Sequence, residues 1–291
     1  MKSTPKSFKE KIHAFRAYAK LWLKCLALRL KCLRFPSRYL AYNRHKHKHP
    51  PIFIVGCGHS GTSLLLALLG THSRICAIPQ ESRLAYLYEA DGSAWLSEAR
   101  QMIRYFDLLA ISENKQRWVE KTPTHIYKIS LLRQLFPGCK FILIIRDGRD
   151  VACSIEARCG SIEVGIRRWV DDNRAGQAYW KEGDVHVIKY EDIIERFSES
   201  IREILNFLGE DFEEQVLRSH EKPKYFYSQS IEKPPDASAA NHNQYRNWQI
   251  NQKLFDGRGK WKQLSDEKKK IIKAAVGDML VEYGYASDQN W

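Results

Sequence analysis

From residue 50 onward the chain alternates short apolar runs with longer stretches whose apolar residues recur every three or four positions. Few folds accept that rhythm. A run of four to six residues rich in isoleucine, valine and phenylalanine suits a strand buried on both faces, and the longer periodic stretches suit helices that cover a sheet. Strands are expected at 52–56, 75–78, 117–120, 140–145 and 185–189. Helices are expected at 61–70, 94–110, 125–135, 148–157, 162–181, 198–208 and 265–282. The pattern predicts an α/β fold, a central, mostly parallel β-sheet flanked by helices on both faces. A chain of 291 residues can bury one large core of this kind, placed here at 50–291. The segment 222–247, rich in proline, serine and asparagine, has little periodicity and reads as a long surface stretch that closes over a site.

Residues 1–49 have a different character. Phe15, Ala19, Trp22, Leu23, Leu26 and Leu30 recur at helical spacing, and lysine or arginine fills much of the rest. This predicts a basic amphipathic helix followed by a linker that contains the H-K-H-K-H run at 45–49. Such a helix can dock on the domain, form a homo-oligomer contact, or lie in an anionic membrane interface through residues 8–34. The net charge of +13 favours an anionic partner without choosing one. Aromatic residues form no stacking array of the nucleic-acid-binding kind, so no nucleic acid is expected. No apolar run is long enough to span a bilayer. The seven cysteines, irregularly spaced and without a C-x-x-C pair, read as reduced thiols of a cytoplasmic protein, with peripheral contact at the inner face of a membrane as the further expectation.

The chemistry concentrates where the first strand ends. The stretch V-G-C-G-H-S-G-T-S at 55–63 places glycines, then a helix start, directly after an apolar run. Unpaired backbone N–H groups and the positive end of a helix dipole then converge on one point, which suits a phosphate-like anion. Gly56 and Gly61 have the spacing of a phosphate-binding P-loop, but Thr62 stands where that loop carries lysine. A nucleoside triphosphate needs that lysine and a magnesium ion to offset its charge. A single phosphate joined to sulfate carries less charge at this end. Farther on, K-F-I-L-I-I-R-D-G-R-D-V-A-C-S at 140–154 predicts a buried strand ending in Arg146, then a turn and a helix that bears Ser154. An arginine at the carboxyl end of a parallel strand faces the ligand crevice of an open α/β sheet.

Together these segments resemble the sulfotransferase family, whose members use 3′-phosphoadenosine 5′-phosphosulfate (PAPS) as donor and adopt a P-loop-like α/β fold. The resemblance rests on His59-Ser60-Gly61-Thr62-Ser63, on Arg146 with Ser154, on W-V-E-K-T-P-T-H at 118–125, on V-I-K-Y-E-D-I at 187–193 and on G-R-G-K-W at 257–261. Glu81-Ser82-Arg83 and Lys121-Thr122-Pro123 are similar to elements of the branch that holds the tyrosylprotein sulfotransferases and many bacterial enzymes. The family implies that Gly58, His59, Ser60, Gly61, Thr62 and Ser63 hold the 5′-phosphosulfate, and Arg146 with Ser154 the 3′-phosphate. Tyr190 would lie beside the adenine, with Arg258 and Lys260 closing on the 3′-phosphate.

For the transfer itself the resemblance implies Glu81 as general base, with His125 in reserve, and Lys121 as a cation on the sulfuryl oxygens. His59 stands where the family usually has arginine or lysine, so it is expected to act as an imidazolium beside the donor. No metal is expected. The acceptor would present a hydroxyl, on a carbohydrate, a lipid-linked glycan, a metabolite or a peptide tyrosine. Residues 84–116, the Arg167-Arg168-Trp169 helix and 222–247 are expected to line its pocket, and Trp169 and Trp180 to stack on a sugar or fill the core. A P-loop kinase-like nucleotide-binding enzyme and a basic membrane-peripheral binding module are the alternatives.

Overall fold

The computed structural model describes residues 8–89, 93–288 and 290–291. Five strands form one sheet in the order β2-β3-β1-β4-β5, with β1 Ile52–Gly56, β2 Ile75–Ala77, β3 Arg117–Lys121, β4 Lys140–Ile145 and β5 Val185–Lys189. All four pairings are parallel. Central β1 aligns Ile52 with Val119 on one side and with Lys140 on the other. Its five residues are buried, as the unbroken apolar run requires of a strand covered on both faces.

Helices connect and cover the strands: α1 Phe8–Leu33, α2 Pro36–His45, α3 Thr62–Leu69, α4 Leu84–Glu89, α5 Ser93–Ser112, α6 Ile129–Leu135, α7 Gly148–Cys159, α8 Ile162–Gln177, α9 Tyr190–Glu195, α10 Phe197–Leu208, α11 His242–Gln249 and α12 Asp266–Glu282. A 3₁₀ turn at Pro123–Lys128 precedes α6 where the periodicity predicts continuous helix from 125. Proline at its start and the absence of a side-chain cap favour the tighter turn. One layer packs Phe53, Phe141, Trp118 and Ile126 against α5 and α6, and the opposite layer packs Ile52, Ile54 and Ile142 against α3 and α10.

The chain leaves β1 for β2 and β3 on one side, then returns to the other side for β4 and β5. The strand order therefore reverses beside β1, and the carboxyl ends of β1 and β4 open a crevice there. Residues 55–63 and Arg146 both lie at that point.

The N-terminal helix docks by a face that the sequence pattern does not mark. Cys25, Cys32 and partly buried Leu28 join the core against α5, and the two thiols lie 3.7 Å from the carbonyls of Gln101 and Leu108. Tyr42 of α2 donates to Asp107 Oδ1 at 2.8 Å. Trp22, Leu23, Leu26 and Leu30, the expected apolar stripe, face solvent. The side chain of Phe15 in that stripe is outside the described residues.

Candidate functional site

Between Gly56 and α3 the loop is shaped by two close approaches. Gly61 has φ near +97°, and a Cβ there would lie 2.7 Å from the ring of Tyr190. A Cβ on Gly58 would lie 2.7 Å from the guanidinium of Arg168. The loop backbone is thus packed closely at these two points, with a tyrosine and an arginine laid directly against it. Ser60 is fully buried, and its hydroxyl has no hydrogen-bond partner among the described residues. An orphaned buried donor beside the amide-lined start of α3 fits a phosphate or sulfate oxygen.

Arg146 leaves the end of β4 and spans the loop. It donates to the carbonyl of His59 at 3.1 Å and to that of Gly257 at 2.7 Å, while its Nε is buried without a partner. Its guanidinium lies 4.3 Å from the centre of the Tyr190 ring. Below it, Trp169 donates to the Arg146 carbonyl at 2.9 Å and is fully buried, so Trp169 supports the site as core. Trp180 is partly buried and packs edge-on against Tyr283 at the border of the core. Asp147 caps α7 by accepting from the Arg149 amide at 2.9 Å, so this segment supplies both a helix start and a cleft arginine.

Glu81 is placed by a buried anchor. Glu120, wholly buried on β3, accepts from the Ser82 amide at 3.0 Å and the Ser82 hydroxyl at 2.8 Å. Thr122 donates to the same carboxylate at 2.6 Å and accepts from the Arg83 amide at 3.2 Å. The segment after β2 is thereby fastened to the end of β3, and Glu81 meets Lys121 there at 2.7 Å. Arg246 of α11 approaches the same Glu81 oxygen at 3.2 Å and also donates to Ser63 Oγ at 3.1 Å. Burial pushes the Glu81 carboxyl up, but Lys121 and Arg246 outweigh that and hold it below the usual range, so it is ionised at neutral pH.

His125 does not reach the cleft. Its Nε2 accepts from the Ala85 amide at 3.3 Å and its Nδ1 lies 3.1 Å from Glu120, both groups being fully buried. The reserve base of the sequence reading is a structural histidine that completes the Glu120 anchor.

The imidazolium expected of His59 beside a donor is not formed by the protein alone. His59 adopts φ near 70°, and its Nδ1 lies 2.9 Å from the Ser154 hydroxyl. Burial and the neighbouring His242, Arg158, Arg168 and Arg246 push its pKa down to about 3, so the protein alone holds a neutral imidazole. His242, with its ring 5.6 Å away, is pushed down to about 4 chiefly by burial. The positive charge of this corner belongs to the arginines.

A cleft of about 280 Å³ brings together Gly58, His59, Gly61, Thr62, Ser63, Glu81, Lys121, Arg146, Ser154 and Tyr190. It adds Arg158, Arg168, Arg246 and Lys253, so six lysines and arginines face one carboxylate, Glu81, among the described lining residues. That imbalance suits a ligand with several negative charges. Arg258 and Lys260 do not line it. Arg258 pairs with Asp256 at 2.9 Å and with Glu195, while Asp150 accepts the amides of Gly259 and Trp261 and ties the loop to α7.

Of the segments expected to line an acceptor pocket, 222–247 does so through α11, and Arg168 does so from α8, whereas 84–116 does not among the described lining residues. Arg158, Arg246 and His242 are not singled out by the sequence. Arg158 and Arg168 occupy neighbouring helices, and nothing in their local motifs separates them from surface arginines.

A family model described as the sulfotransferase family matches residues 50–111 and 89–214. The protein-tyrosine sulfotransferase of Drosophila melanogaster is 27% identical over 237 residues, covering 69% of this chain and 46% of the fly protein. An uncharacterised protein of Aquifex aeolicus is 27% identical over 221 residues, covering 63% of this chain and 29% of that protein. The matches thus span less than half the length of these two relatives. Among solved structures, the sulfotransferase domain from the curacin biosynthetic pathway superposes with a TM-score of 0.52 at 19% identity, covering 78% of this chain and 96% of that domain. It shares the fold.

Proposed function

We propose, from the premise that this chain belongs to the sulfotransferase family, that it transfers a sulfuryl group from PAPS to a hydroxyl of an acceptor. The observation that carries this reading is Glu81 held at 2.7 Å from Lys121, in a cleft whose other charges are cations and whose loop leaves the Ser60 hydroxyl unpartnered. PAPS supplies an activated sulfuryl group when bound. The amides of the loop and the hydroxyls of Ser60, Thr62 and Ser63 would hold its 5′ end, and Arg146 with Ser154 its 3′-phosphate. Tyr190 would lie beside the adenine.

Sulfuryl transfer, like phosphoryl transfer, depends mainly on alignment and on stabilising charge. A bound donor would compete with Glu81 for Lys121 and Arg246. Losing those cations raises the Glu81 pKa and makes the carboxylate a better acceptor for the substrate's proton. Lys121 offsets charge on the sulfuryl oxygens. The cation missing from the loop at Thr62 and His59 is supplied from α8, because the Arg168 guanidinium already lies against Gly58. A bound anion would also favour protonation of His59, which could then stabilise the leaving phosphate.

The acceptor reading spans a tyrosine-containing peptide, a carbohydrate, a lipid-linked glycan and a small metabolite, and the similarity to the fly protein-tyrosine sulfotransferase supports the peptide. A cytoplasmic location belongs to the same proposal, supported by the cysteine spacing. Incubation with labelled PAPS and a panel of tyrosine peptides, glycans and lipids tests it. Label on at least one hydroxyl acceptor, formed at least about a hundredfold more slowly with Glu81→Gln, is expected. Label transfer that is unaffected by Glu81→Gln removes Glu81 from the reaction, and phosphoryl transfer from ATP in its place overturns the reading.

A further inference from the structure

The docked face of α1 leaves a second apolar face uncovered. At 3.6 residues per turn, Trp22, Leu23, Leu26, Leu30 and Leu33 fall within an arc of roughly 100°. Their exposures are 49, 60, 40, 59 and 74%. Cys25, Leu28 and Cys32 occupy a separate arc against α5. Arg29 lies between the two arcs, and Arg34, Lys20 and Lys31 flank the other side of the exposed one, all four exposed. Phe35, Tyr39 and Leu40, also exposed, continue the apolar series into α2. Between Glu10 and Glu81 the chain has no aspartate or glutamate, while residues 11–49 contain eleven lysines and arginines.

We infer that this face of α1 lies on an anionic lipid surface, with its leucines and Trp22 at the acyl boundary and its cations among the headgroups. The apolar arc alone would suit a second copy of the chain. Its cationic borders decide against that, because pairing two such faces sets like charges together, whereas an anionic bilayer complements both features. The helix is held in place by its other face, so the surface is presented ready-formed and its ordering is not charged against binding. The domain would then rest on the membrane through α1, and no described helix is long and apolar enough to cross it.

Co-sedimentation of the full chain with vesicles tests this, using phosphatidylcholine alone and phosphatidylcholine mixed with phosphatidylserine. The chain should pellet with the mixed vesicles and not with the neutral ones. Arg29→Gln and Arg34→Gln should each weaken that binding roughly fivefold. Leu26→Glu with Leu30→Glu should abolish it while binding of adenosine 3′,5′-bisphosphate stays unchanged, which shows that the fold is intact. Failure to pellet with anionic vesicles overturns the inference, as does unaltered pelleting of the double variant. So does a wild-type dimer in solution that the double variant converts to a monomer. Far-ultraviolet circular dichroism and thermal unfolding of the double variant report the fold without any nucleotide, so failure of nucleotide binding leaves the vesicle result readable.

Discussion

Replacing Arg168 by glutamine tests where the loop obtains its positive charge. The guanidinium lies against Gly58, pairs with Asp172 at 3.4 Å and is about one-third exposed. Two unit charges about 5 Å apart at an effective dielectric of about 20 interact by about 3 kcal/mol. Solvent around a side chain 34% exposed reduces that by about half. The remaining ~1.5 kcal/mol corresponds to about a tenfold weaker Kd. Calorimetric titration with adenosine 3′,5′-bisphosphate should show that loss for Arg168→Gln and not for the exposed neighbour Arg167→Gln, with the difference shrinking at high salt. Asp172 keeps the Tyr127 hydroxyl at 2.8 Å, so thermal unfolding should change little. Gly58→Ala should resemble Arg168→Gln, because its new methyl would displace the guanidinium. Folded Arg168→Gln that binds as tightly as the wild type would refute the reasoning.

Further outcomes rest on the other groups of the cleft and core. Glu81→Gln should lower turnover by about a hundred- to ten-thousandfold while leaving nucleotide affinity intact, as steady-state rates and titration would show. His59 and His242 have native pKa values of about 3 and about 4, below the unfolded value near 6.5. The unfolded chain therefore binds more protons between those values, and stability should fall as pH drops from about 6.5 toward 4. Melting temperatures of His59→Asn with His242→Asn should fall less over that range. Glu210→Gln should cost about 3–5 kcal/mol by stranding Arg117, its buried partner at 3.2 Å, and an unchanged denaturation midpoint would argue otherwise.

The sheet was legible because β1 to β4 are buried on both faces almost throughout, while edge strand β5 is only partly buried. The apolar runs at 52–56, 140–145 and 185–189 coincide with β1, β4 and β5, and β2 and β3 differ from expectation by one residue at an end. The placement of Glu81 near Lys121 was legible only through the family resemblance, since its cause, the Ser82–Glu120 anchor, links residues 38 apart. Three features escaped for physical reasons. Short α11 lies in a polar stretch with weak periodicity, and its Arg246 reaches Ser63 across 183 residues. The Arg168 helix was expected at the pocket, but the contact of Arg168 with Gly58 leaves no side-chain pattern to read. In α1 the strongest apolar stripe faces out, because two cysteines and a leucine suffice to dock the helix against α5.

The central claim is that this cleft reads a nucleotide bearing phosphates at both its 3′ and 5′ positions, through Arg146 and the glycine-containing loop. Titrating the wild-type chain with adenosine 3′,5′-bisphosphate, AMP and ATP in the presence of a magnesium chelator tests it without knowledge of the acceptor. The bisphosphate should bind at least tenfold more tightly than either competitor, and Arg146→Ala should abolish its advantage over AMP, in keeping with a charge-assisted contact worth about 1.5–3 kcal/mol. Equal affinity for the bisphosphate and AMP, or a preference for ATP, would contradict the account.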